Sequence, residues 1–138
     1  MILELVEEDG GQVQHEEVLR HRTNPGEDLP KKLANIQADV EATVKGTAAT
    51  VAIVRAMDRP PFGQRKQSTN EPRLQMEGVV LATLRREITV VQPRTGKEIG
   101  DLCGASKDEV AADARQRFGA DLQEAGMAAL AALRVAKT

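Results

Sequence analysis

The feature that most constrains this chain is a continuous run, Thr50-Val51-Ala52-Ile53-Val54, β-branched everywhere but at Ala52. A strand with one wet face alternates apolar and polar residues. A continuous apolar run is what a strand covered on both faces shows. A second run, Ile88-Thr89-Val90-Val91, is closed by Pro93, and a helical stretch from about Arg73 to Arg86 lies between the two, with Leu74, Val80, Leu81 and Leu84 apolar. Strand, helix and strand in this order predict an α/β arrangement with some parallel pairing.

The remaining segments extend this alternation. Residues 2–22 read as two strands and a turn. Ile2, Leu3, Leu5 and Val6 precede Asp9-Gly10-Gly11, and Val13, Val18 and Leu19 follow amid polar residues as an edge strand would carry them. Asp28 caps a helix with Pro30 at an early, harmless position; Leu33, Ile36, Val40 and Val44 follow at helical spacing, and Gly46 stops it. Residues 59–72 form a long polar loop, of the length that is functional or disordered in compact domains. Short helices are expected near 97–102 and from Ser106 to Phe118, and an Ala-rich one from about Asp121 to Ala136. Strands near 2–9, 12–22, 50–57 and 88–91 and helices 31–45, 73–86, 107–118 and 122–136 fit a single domain over 1–138.

Composition narrows the function classes. Two Phe and no Trp or Tyr leave almost nothing for stacking on single-stranded bases. A net charge of −2 excludes a surface that is one phosphate-binding field, though not local basic patches. No apolar run approaches the roughly 20 residues that cross a bilayer, and the acidic start is unlike a signal peptide, so no membrane role and a cytoplasmic location are expected. Cys103 has no second cysteine to pair with and reads as a buried structural thiol. His15 and His21, six apart in the edge strand with no third ligand, make a poor metal site.

Four stretches resemble RuvC-type Holliday junction resolvases and their actinobacterial and phage relatives. Asp28-Leu29-Pro30-Lys31-Lys32-Leu33-Ala34-Asn35-Ile36 resembles the helix after their opening hairpin. Asp58-Arg59-Pro60-Pro61-Phe62-Gly63 resembles their Glu-Gly-Pro-x-aromatic-Gly turn. Leu74-x-x-x-Gly78-Val79 is similar to part of their Leu-Gly-x-x-x-Gly-Val pattern, and Gly104-Ala105-Ser106-Lys107-Asp108-Glu109-Val110 to their Gly-x-Ala-Ser-Lys-Asp-x-Val run. The resemblance implies an RNase H-like (RuvC-like) mixed sheet flanked by helices, a homodimer, Mg²⁺ as a two-ion cofactor, and branched or duplex DNA as partner.

That family carries a first strand with a metal-binding aspartate ahead of the hairpin that residues 2–19 resemble. The implied fold here lacks that core strand, and the implied function is a catalytically degenerate resolvase domain with residual nucleic-acid or protein binding. Two alternatives stand beside it: an active Mg²⁺-dependent junction endonuclease whose start is truncated, and a non-catalytic dimeric interaction module. The residues matching the family's catalytic and metal-binding acids are Asp58, Asp121 and Glu124. A second register puts Val54, Gln123 and Gly126 there instead. Asp121 and Glu124 lie at i and i+3 on one helix face, as convergent carboxylates require; they equally suit a helix cap and a dipole partner. Asp58 also suits a turn. The resemblance implies nucleic-acid contacts from Arg59, Arg65 and Lys66 in the long loop and from Arg94, Lys97, Ser106 and Lys107 around the last strand and the following helices, residue types that suit phosphate.

Overall fold

The computed structural model describes residues 2–9, 12–22, 24–56 and 67–137. The chain runs β1 (Ile2–Asp9), β2 (Gln12–Arg20), α1 (Leu29–Val44), β3 (Val51–Arg55), α2 (Gln67–Glu87), β4 (Val90–Arg94), α3 (Gly96–Cys103), α4 (Lys107–Phe118), a 3₁₀ turn (Ala120–Leu122) and α5 (Gln123–Lys137). β3 and β4 pair in parallel, Val51 opposite Val90 through Arg55 opposite Arg94. The crossover between them contains α2, as the two β-branched runs require.

Both faces of this pair are covered. Ala52, Val54 and Val91 pack on a cluster from α1 and α2 built of Ile36, Val40, Val44, Val80 and Leu84, with Ile88 just beyond α2. Ile53 points the other way, into a cluster with Ile99, Val110, Ala114, Phe118, Met127, Leu130 and Ala131. The period-two alternation of a strand thus feeds two cores, which is why residues 51–54 carry no polar side chain.

The antiparallel hairpin β1–β2 forms as expected, with a register shift between Glu7 and Glu8. It does not extend the parallel pair. Among the described residues the strands form two separate two-stranded sheets, so the mixed sheet that the resemblance implies is divided between β1–β2 and β3–β4. α5 packs on both β3 and β1, and Val6 and Val18 rest on its cluster. One helix therefore underlies two sheets that share no ladder.

Local departures have local causes. Pro93 was expected to close the last strand but lies within β4. Val90 N–H donates to Thr50 O and Arg94 O accepts from Ala56 N–H, so alternation turns the Pro93 nitrogen to the outer edge, where no donor is needed. Ile88 lies just past the end of α2 instead of starting β4, its N–H donating to Leu84 O at 2.8 Å. α2 begins at Gln67 and runs through Pro72, which was taken as its boundary. Leu74, one of the residues on which that helix was read, is 50% exposed; Val80 and Leu84 do the packing. Asp28 caps α1 as expected, accepting from Lys31 N–H, and Gly46 at φ 75° follows its end. His21 stands just past β2, buried, with Nδ1 hydrogen-bonded to the Asp39 carboxylate of α1. Cys103 is partly buried, and loss of water pushes its thiol above the usual range.

Candidate nucleic-acid interface and acidic pair

Two groups of side chains meet near the start of α5 and the start of α3. The acidic group follows from a glycine. Gly119, at φ 99°, ends α4 and lets the chain turn through Ala120–Leu122 into α5. Asp121 lies in that turn and Glu124 in the first helical turn, both exposed. Each carboxylate holds an arginine from a different sheet. Arg20, at the end of β2, donates from Nη2 to Asp121 Oδ2 at 2.6 Å. Arg55, at the end of β3, donates from Nε to Glu124 Oε2 at 2.9 Å. The Arg20 hydrogen bond is the main reason the Asp121 carboxyl titrates below the usual carboxylate range.

The basic group is set by close packing. A Cβ on Gly96 would lie 2.7 Å from Lys107 Cε and 2.9 Å from Arg55 Nη2, so two cationic side chains cross the first turn of α3 at a place only glycine leaves open. Gly100, one turn on, lets the α3–α4 junction approach: a Cβ there would meet Ala105 O at 2.7 Å and Lys107 N at 3.0 Å. Thr95 and Glu98 close a reciprocal capping box at the head of α3. The result seats Arg55 and Lys107 together on a helix N-terminus, with Lys97 exposed beside them. Phosphate oxygens suit such a place.

The expected site residues divide accordingly. Asp58, Arg59, Arg65 and Lys66 lie outside the described residues. Asp121 stands in the 3₁₀ turn and Glu124 in the first turn of α5, three residues apart, and Lys107 and Arg55 both reach the place a Cβ on Gly96 would take. Arg94 turns back on its own strand, donating to Gln92 Oε1 at 2.9 Å and Pro93 O at 3.2 Å. The Ser106 hydroxyl caps α4, accepting from Glu109 N–H at 3.1 Å. Three participants escaped sequence reasoning: Arg20, Arg55 and Gly96. A signal existed for Arg55, a charge placed directly after a buried run, and for Gly96, four residues ahead of Gly100 on one helix face.

The resemblance implies Mg²⁺, and the described residues do not fit a two-ion centre. Among them no three or more His, Cys, Asp or Glu side chains group as ligands, and the two acids that do share a face are both engaged by guanidinium groups. Mg²⁺ asks for near-octahedral oxygens, which this donor set does not offer.

No family model matches the sequence, and no curated protein matches it. Solved structures do. A Thermus thermophilus RuvC structure matches with a TM-score of 0.68 at 20% identity, covering 97% of this chain and 86% of that one. A second, T. thermophilus RuvC in complex with Holliday junction substrate, gives a TM-score of 0.70 at 19% identity, covering 99% and 96%. This chain has a RuvC-like fold. The expected architecture holds, with its sheet divided in two. Among the described residues of this RuvC-like chain, no helix is long and apolar enough to cross a membrane.

Proposed function

We propose that this chain is a single RuvC-like domain over residues 1–138 that binds branched or duplex DNA as a cytoplasmic homodimer without cutting it. The observation that supports this most is the seating of Arg55 and Lys107 across Gly96, with Lys97 alongside, on a fold whose solved counterpart was captured with a junction. Backbone phosphates are gripped by such cations without base stacking, which suits a chain with two aromatic residues. The open edges of β1 and β3 are where a second copy would pair.

Fluorescence anisotropy with a four-way junction and a duplex at low salt tests the reading. Lys97→Gln and Lys107→Gln should weaken both complexes and each lower the salt slope by about one. Binding untouched by both substitutions would dismiss the proposed face. Sedimentation should show a species twice the chain mass at micromolar concentration. Incubation of the junction with Mg²⁺ or Mn²⁺ should give no product.

One observation favours a second reading, an active endonuclease with a further strand ahead of Ile2. β1 and β3 both lie on α5 yet are not paired to each other, and a strand joined ahead of Ile2 by a tight turn would reach that interval. Metal-dependent cutting by a chain extended upstream, abolished by Asp58→Asn or Asp121→Asn, would establish it in place of the first.

A further inference from the structure

We infer that Arg20 and Arg55 take the place of cations at the acidic start of α5, turning Asp121 and Glu124 into a clasp that fastens the hairpin and the parallel pair to one helix. The two arginines end strands of different sheets, β2 and β3, and the two acids stand three residues apart at the head of the helix that underlies both. Each pair is a charge-assisted hydrogen bond, at 2.6 Å and 2.9 Å. Where two sheets share no ladder, these contacts join their ends.

The local charge decides what the place accepts. Among the described residues, Arg20 and Arg55 bring one guanidinium to each of the two carboxylates. A divalent ion would have to displace both guanidinium groups and then sit beside them, adding repulsion at a few ångströms. The inference deepens the proposal that this chain does not cut DNA, but it needs no nucleic acid for its test, so its failure would leave the basic face standing.

The test uses the whole chain, Mn²⁺ titrated calorimetrically, and amide exchange of the hairpin. The natural chain should bind Mn²⁺ only weakly. Arg20→Gln with Arg55→Gln should tighten Mn²⁺ by about tenfold as the neighbouring positive charges go, and adding Asp121→Asn should reverse the gain. The same double variant should speed hairpin exchange about two- to fivefold, the scale of exposed ion pairs. Micromolar Mn²⁺ binding by the natural chain, lost with Asp121→Asn, would overturn the inference. So would a double variant unchanged in both readouts. Should that variant not fold, Arg20→Lys with Arg55→Lys keeps the charge and gives up the fork geometry. It should still refuse Mn²⁺ while loosening the hairpin, and Mn²⁺ uptake by it would equally overturn the inference.

Discussion

The two sheets of this molecule carry unequal shares of its stability. The parallel pair β3–β4 is held from both sides: α1 and α2 cover Ala52, Val54 and Val91, and α5 covers Ile53. The hairpin has Val6 and Val18 on the rim of the α5 cluster and an ion pair, Arg20 to Asp121, at its end. A two-stranded hairpin alone is marginal in water. Among the described residues the difference lies in cover: β3 and β4 are packed from both sides, and the hairpin is a flap attached to α5 through Val6, Val18 and the Arg20–Asp121 pair.

The largest expected effect breaks the well-covered side. Leu84 is 2% exposed beneath β3 and β4, and Leu84→Ala should cost about 2–5 kcal/mol of global stability in urea unfolding. Val6→Ala on the flap should cost about 1 kcal/mol at most, with its main effect a local rise in hairpin exchange. Equal losses from the two substitutions would mean the sheets form one cooperative unit, and the comparison would fail.

A sharper contrast lies in two glycines of α3. Gly100→Ala drives a Cβ into backbone, the Ala105 carbonyl and the Lys107 amide, and should lower stability by about 1–3 kcal/mol. Gly96→Ala meets the far ends of Lys107 and Arg55, which can swing aside, so thermal unfolding should barely move. The displaced cations should nonetheless weaken DNA binding in the anisotropy assay. If Gly96→Ala left binding unchanged, the crossing of those two side chains would not matter for the ligand.

Much of this was legible in the sequence, and the reason differs from element to element. The Thr50–Val54 run announced a sandwiched strand because burial on both faces removes the need for polar alternation. Asp28 and Ser106 announced helix starts because their side chains satisfy amides that nothing else on the helix can reach. Pro93 misled because proline's missing donor forbids only one edge of a strand, and sequence alone does not say which edge faces out. The separation of the sheets was hidden for a related reason, since pairing between distant strands leaves no local pattern. Asp121 and Glu124 were singled out by their resemblance to the family's acids. Their arginine partners were not, because Arg20 and Arg55 are 101 and 69 residues away.

The smallest expected effect concerns the pH at which the flap loosens. Asp121 has its carboxyl held below the ordinary value of 3.8, first by the hydrogen bond from Arg20 and further by that arginine's charge, with some desolvation opposing. A depressed carboxylate stabilises the folded form fully above its unfolded value, and the benefit fades as pH falls through the depressed folded value. Hairpin protection, corrected for intrinsic exchange, should therefore be steady above the ordinary carboxylate value and decline as pH falls below it, through the depressed folded value. Asp121→Asn should flatten that decline while leaving the exchange of β3 and β4 unchanged, because those strands owe their protection to apolar cover. A pH response that persisted in full without the carboxylate would place the hairpin's acid sensitivity elsewhere. Exposure of both partners keeps the effect small and salt-dependent, so the experiment belongs at low ionic strength. Its disappearance in high salt is the mark that separates an ion pair at the flap's end from the apolar contacts that hold the rest.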